Sequence, residues 1–140
     1  MTENAIAKEI VDAAFRINTT LGPGLLESVY HAVLAYELAQ RGLQTVGQQA
    51  VPVIYGTIRI DIEFRADPIV EDLVIVEIKS VEALAPVHRK QLLTDLRLAD
   101  KRLGLPINFN AVLIKDGISR IVNGLEELSH AKSQRRQEDE

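Results

Sequence analysis

From Leu73 to Ile78 the chain is apolar at every position except Glu77. A short run of this kind reads as a strand covered on both faces, because a strand with one wet face alternates apolar and polar residues. A sheet covered on both faces needs helices on both sides, so this run already points to an α/β arrangement. The exception matters as much as the rule. A lone carboxylate in such a strand is costly to bury unless it is paired or bound to metal. Alternation also puts Lys79, two residues on, on the same face as Glu77.

The flanking segments supply the helices. Ile6, Ile10, Val11, Ala14 and Ile17 predict a helix over residues 3–19 with Thr2 as its cap, broken by Gly22-Pro23-Gly24. A second helix is expected from about Leu25 to Arg41, with Leu26, Val29, Tyr30, Val33, Leu34 and Leu38 on its apolar side and Gly42 as its stop. Val51 to Tyr55 reads as a short strand turning at Gly56. Thr57 to Asp67 alternates strictly, with Ile58, Ile60, Ile62, Phe64 and Ala66 on one face, and predicts a strand buried on that side. Pro86 opens a third helix, expected to reach about Leu103 before Gly104 and Pro106. Asn110–Ile114 and Ile118–Val122 flank Lys115-Asp116-Gly117, a hairpin signal. The predicted order is α, α, β, β, β, α, β, β around a mixed central sheet. One domain is expected over residues 1–128, with a polar, frayed tail over 129–140.

Composition narrows the chemistry. The 140 residues suffice for one sizeable core, and 46% apolar with 26% charged residues is the balance of a soluble globular protein. No cysteine is present, which excludes disulfides and thiolate metal sites. No apolar run is long enough to cross a bilayer and Met1-Thr2-Glu3-Asn4 lacks a basic signal start, so the expected location is the cytoplasm, with no membrane partner. His31, His88 and His130 are scattered, against a zinc site. The phosphate-loop, dinucleotide and serine-hydrolase motifs are missing. A net charge of −4 weighs against tight independent binding of nucleic acid, whose affinity comes mostly from Lys and Arg. Such a chain needs clustered basic residues, or a grip supplied by oligomers or partners.

Asp67, Glu77 and Lys79 form the leading constellation. Two carboxylates suit a hard cation such as Mg²⁺, and an ammonium beside them steadies a water or a phosphate oxygen. A two-residue loop at Glu71-Asp72 would pair Asp67 with Val76 and put the acids on opposite faces. An odd-length loop or a bulge brings Asp67 opposite Glu77, and Pro68 favours such irregularity. The plainer alternative is a Glu77–Lys79 salt bridge on a sheet face. Glu27, at the start of the second helix, is either a further metal or water ligand or a first-turn glutamate favoured by the helix dipole and capping its own helix. Gln91 either orients the lysine, a phosphate or a water, or belongs to a solvated helix face.

Gly24-Leu25-Leu26-Glu27-Ser28-Val29-Tyr30 is similar to the signature of the GxxExxY protein family, a branch of the PD-(D/E)XK nuclease superfamily. The resemblance continues through Arg65-Ala66-Asp67, Val74-Ile75-Val76-Glu77-Ile78-Lys79, Pro86-Val87-His88 with Gln91-Leu92-Leu93, Gly104 to Asn110 and Lys115-Asp116-Gly117-Ile118, covering roughly residues 5–125. It implies a restriction-endonuclease-like core, αβββαβ, with a mixed central sheet flanked by helices. It further implies that Asp67 and Glu77 bind Mg²⁺ (with Mn²⁺ as a substitute), that Lys79 assists the attacking water, and that Glu27 and Gln91 support the site. The implied activity is hydrolysis of phosphodiester bonds in nucleic acid, DNA favoured over RNA, and a homo-oligomer is compatible with it. The alternative is an inactive module of the same fold that binds nucleic acid or a protein partner. Two positions depart from the pattern: Asp95 follows Gln91 by four where related branches often carry Tyr, and Pro68 replaces an aliphatic residue after Asp67.

Overall fold

A computed structural model describes residues 1–47, 49–64 and 68–125, apart from the side chains of residues 49–53 and 61–64. Helix α1 (Glu3–Leu21) starts as its sequence predicts, with Thr2 Oγ1 accepting the Ala5 N–H at 3.1 Å. Its face of Ile6, Ile10, Ala13, Ala14 and Ile17 is buried, and it packs on α2 (Glu27–Gln40), which buries Tyr30, Leu34 and Leu38. Gly42, with φ +79°, takes the left-handed turn that ends α2.

The main sheet has the order β1 (Thr45–Val46), β4 (Ile69–Val70), β5 (Val74–Lys79), β6 (Leu103–Asn108), β7 (Ile121–Val122). β5 and β6 are parallel and every other pair is antiparallel. The connection between the parallel pair is helix α3 (Pro86–Ala99), the crossover that parallel strands require. Val74, Val76 and Ile78 join Leu103, Leu105 and Ile107 in the core beneath α1 and α2. Ile75 and Ile69 join Leu92 and Leu96 of α3 on the opposite face. β5 is therefore covered on both sides, as its apolar run predicts.

Three expectations fail, each for a local reason. The third helix stops at Ala99, and Leu103 instead begins β6. Gly104 and Pro106, which read as helix breakers, lie inside that strand. A Cβ at Gly104 would stand 2.9 Å from Leu92 Cδ2, so glycine lets α3 approach the sheet. The Pro106 carbonyl accepts the Ser119 N–H at 3.0 Å, away from β5. Its missing donor faces that side too, away from the continuous parallel ladder with β5 and beyond the two residue pairs that β7 makes.

Nor is Lys115-Asp116-Gly117 a hairpin. It lies in the short helix α4 (Ile114–Gly117), with Gly117 so close beneath β6 that a Cβ would collide with the Asn108 carbonyl. Finally, among the described residues β3 (Ile58–Phe64) pairs only with β2 (Gln49–Tyr55), in a separate ribbon. Ile58 and Ile60, expected to be buried, are 59% and 46% exposed. Alternation marked an apolar face without saying what would cover it.

Candidate active site

β5 carries both chemical groups of the central motif. Glu77 is 4% exposed, with Oε1 sealed from solvent, and Lys79 is half-buried at the strand's end. By alternation both side chains take the face of Ile75, the side on which α3 packs. The turn before the strand is of odd length. Glu71, Asp72 and Leu73 separate Val70 from Val74, with φ of +52° at Glu71 and +58° at Asp72. Gln44 and Glu71 hold it by two bonds, Glu71 N–H to Gln44 O at 2.9 Å and Gln44 N–H to Glu71 Oε2 at 3.0 Å. The antiparallel bonding extends at least to Pro68, whose carbonyl accepts the Val76 N–H at 3.0 Å. Asp67 lies outside the described residues. Among the described residues no group of three or more His, Asp or Glu side chains is disposed to hold a metal ion. A metal centre at Glu77 therefore has to draw on main-chain or water oxygens, or on a residue beyond them such as Asp67.

The chain just after Lys79 is clasped from two sides. Phe109 N–H donates to the Lys79 carbonyl at 2.9 Å. Asn108, 3% exposed at the end of β6, accepts the Val81 N–H on Oδ1 at 3.1 Å and donates Nδ2 to the Val81 carbonyl at 2.8 Å. One carboxamide thus serves as a short piece of β ladder, satisfying main-chain groups that a strand end would leave open. Between them, Ser80 Oγ donates to the Leu25 carbonyl at 2.8 Å and ties β5 to the loop before α2. Sequence reasoning singled out neither Ser80 nor Asn108. The available signal was a polar residue closing the apolar run of β6.

The Gly-x-x-Glu-x-x-Tyr segment works around Tyr30. Its ring is fully buried and stacks on Phe109, with centroids 4.4 Å apart and planes 6° from parallel. Its hydroxyl donates to the Gly22 carbonyl at 2.7 Å and accepts the Leu25 N–H at 3.2 Å, folding the loop back on the helix. Gly24 has φ +89°, which a side chain would strain. Leu26 occupies the N-cap and no side chain caps the helix. Glu27 lines an open cleft of about 580 Å³ with Ser28, Ser80 and Asn110, next to the end of β5.

His31, one turn further along α2, reports on the same neighbourhood. Burial, the largest influence, holds its imidazole below the ordinary 6.5; Glu27 pulls it up and Lys79 pushes it down. The helix acid and the strand lysine thus both act on the ring. Gln91 stands on the exposed side of α3 beside buried Leu92. His88 Nδ1 accepts the Ala85 N–H at 3.0 Å and caps α3.

A five-stranded mixed sheet flanked by helices, with Glu and Lys two residues apart on a central strand covered on both faces, is the restriction-endonuclease-like class of α/β protein. The chain belongs to the PD-(D/E)XK nuclease superfamily, whose family model matches residues 4–121. Nucleases of this superfamily generally use divalent metal ions. No curated protein and no solved structure matches the chain. No helix among the described residues is long and apolar enough to cross a membrane.

Proposed function

We propose that this protein hydrolyses phosphodiester bonds of nucleic acid, DNA in preference to RNA, with Mg²⁺ or Mn²⁺ held by Asp67 and Glu77. The observation that carries the reading is Glu77, a carboxylate 4% exposed in a strand covered on both faces, with Lys79 two residues beyond it. The β4–β5 register supports the pairing of the two acids. Ile69 pairs with Ile75, and a ladder continued in that register for two more residues would bring Asp67 opposite Glu77. All-oxygen donors suit a hard divalent ion. When bound, such an ion polarises a phosphoryl oxygen and acidifies a water.

Lys79 stabilises the charge that develops on the phosphate oxygens and orients the attacking water, with its main chain fixed by Phe109 and its strand end by Asn108. Glu27 and Gln91 act in support, Glu27 holding water in the cleft it lines and Gln91 presenting its amide from α3. The Gly-x-x-Glu-x-x-Tyr pattern assigns the chain to the GxxExxY branch, and the protein acts in the cytoplasm as a single domain. Asp95 in α3 and the net charge of −4 favour a second reading, a non-cutting module of the same fold. The two separate in a cleavage assay on mixed DNA and RNA substrates at low salt, with Mg²⁺ and then Mn²⁺. Wild type that cuts where Glu77→Ala does not supports the nuclease. Wild type as inert as Glu77→Ala refutes it.

A further inference from the structure

We infer that the exposed stripe of α3 binds the phosphodiester backbone of the nucleic acid and leads it to the Glu77–Lys79 face of the sheet. The inference rests on the nucleic-acid reading above and adds the surface that makes it workable for an acidic chain. Charge is divided unevenly between the two faces. Helices α1 and α2 together carry two Lys or Arg residues against five acids, a net of −3. Helix α3 carries Arg89, Lys90 and Arg97 against Asp95 alone, a net of +2. The positive helix is the one on the face to which Glu77 and Lys79 alternate.

Pairing sharpens the contrast. Arg16, Arg41, Lys101 and Arg102 are engaged with Glu37, Glu9, Asp72 and Glu3. Lys90 and Arg97 are exposed, and among the described residues neither has an acid within ion-pair distance. They share one side of α3 with Gln91 and Thr94, about 10 Å apart along the axis at 1.5 Å per residue. Exposed Val87 aside, that face is polar, cationic and hydrogen-bonding, the chemistry that recognises a phosphate backbone without reading bases. Its first turns follow the loop that leaves Lys79, so a strand lying along α3 approaches the site from its side.

The test measures binding with Ca²⁺ in place of Mg²⁺, which keeps oxygen ligation and slows chemistry. Fluorescent duplexes of about 20 base pairs, one DNA and one RNA of the same sequence, are titrated at about 50 mM salt and upward. Lys90→Glu and Arg97→Glu sit on exposed helix positions. They are compared with Lys8→Glu, an exposed position on α1 with no acid in ion-pair distance among the described residues and the same change in net charge. Each α3 variant is expected to weaken binding roughly tenfold, and the double variant to lower the slope of log K against log salt by roughly 2, while Lys8→Glu stays within about twofold. The two duplexes assign the source of the backbone. Equal losses for Lys8→Glu and the α3 variants would mean net charge rather than this face, and overturn the inference. Wild type that cuts while the α3 variants bind unchanged sinks the inference and spares the nuclease. Wild type that neither binds nor cuts sinks both.

Discussion

Tyr30→Phe isolates one oxygen at the joint between α2 and the loop before it. The ring keeps its burial and its stacking on Phe109, while the Gly22 carbonyl loses a donor and the Leu25 N–H loses its acceptor. Each bond contributes about 1 kcal/mol net, and water can re-solvate part of this half-exposed loop, so the loss is about 1–2 kcal/mol. For a domain of this size that lowers Tm by about 3–7 °C. Tyr30→Ala, which also empties a fully buried site, should cost about 3–5 kcal/mol. Urea denaturation followed by circular dichroism gives both values, and an unchanged m-value would show that the denatured state is not the cause. Amide exchange at Leu25 should speed up in the Phe variant. A Phe variant within about 0.3 kcal/mol of wild type, with Leu25 exchange unchanged, would mean the hydroxyl does not hold the loop.

Lys79→Ala should keep Mg²⁺ affinity within a few-fold, because an ammonium offers no lone pair, yet lose roughly 10²-fold or more in cleavage rate; Glu77→Ala should lose both, as calorimetry and single-turnover kinetics would show. Gly104→Ala puts a methyl group against Leu92 in the packed layer between α3 and β6 and should cost about 1–3 kcal/mol in denaturant melts, partly recovered by Leu92→Val. Glu3 gives a pH signature. Its own main-chain N–H, assisted by Arg102, holds its carboxyl below the ordinary 4.5 against the opposing effect of burial. Its stabilisation is therefore full above the unfolded pKa and is lost as pH falls through the lower folded one. Glu3→Gln should lower Tm at pH 7 and flatten the decline between pH ~5 and ~3; parallel curves would count against it.

The central strand was legible because a short run apolar at nearly every position needs cover on both faces, and Glu77 stood out by breaking it. The odd-length turn at Glu71–Leu73 could only be posed as a condition, since two residues in left-handed conformation decide it and neither is glycine. β6 was hidden because Gly104 and Pro106 are punished in strands on average, whereas here one admits Leu92 and the other turns its missing donor away from the parallel ladder with β5. Lys115-Asp116-Gly117 misled for the converse reason: the glycine answers a close approach to Asn108 instead of a hairpin twist. The sequence leaves Glu27 open between a ligand and a cap of its own helix; in the structure no side chain caps α2 and the acid lines a cleft. The clasp joins the Asn108 side chain to main-chain atoms of Val81, 27 residues away, so the polar residue closing β6 marks one partner and no side-chain pattern marks the other. Asp67 stays where the sequence put it, a proposal on the register of β4 and β5.

Whether Glu77 holds a metal is read most directly from crystals grown in Mn²⁺, by the anomalous difference density at the end of β5. A peak within coordination distance, roughly 2.1–2.2 Å, of both the Glu77 and Asp67 carboxylates, lost in Glu77→Gln crystals grown alike, is the result the nuclease reading predicts. Density that leaves Glu77 unliganded while Mn²⁺ binds elsewhere, or that persists unchanged in Glu77→Gln, would contradict it.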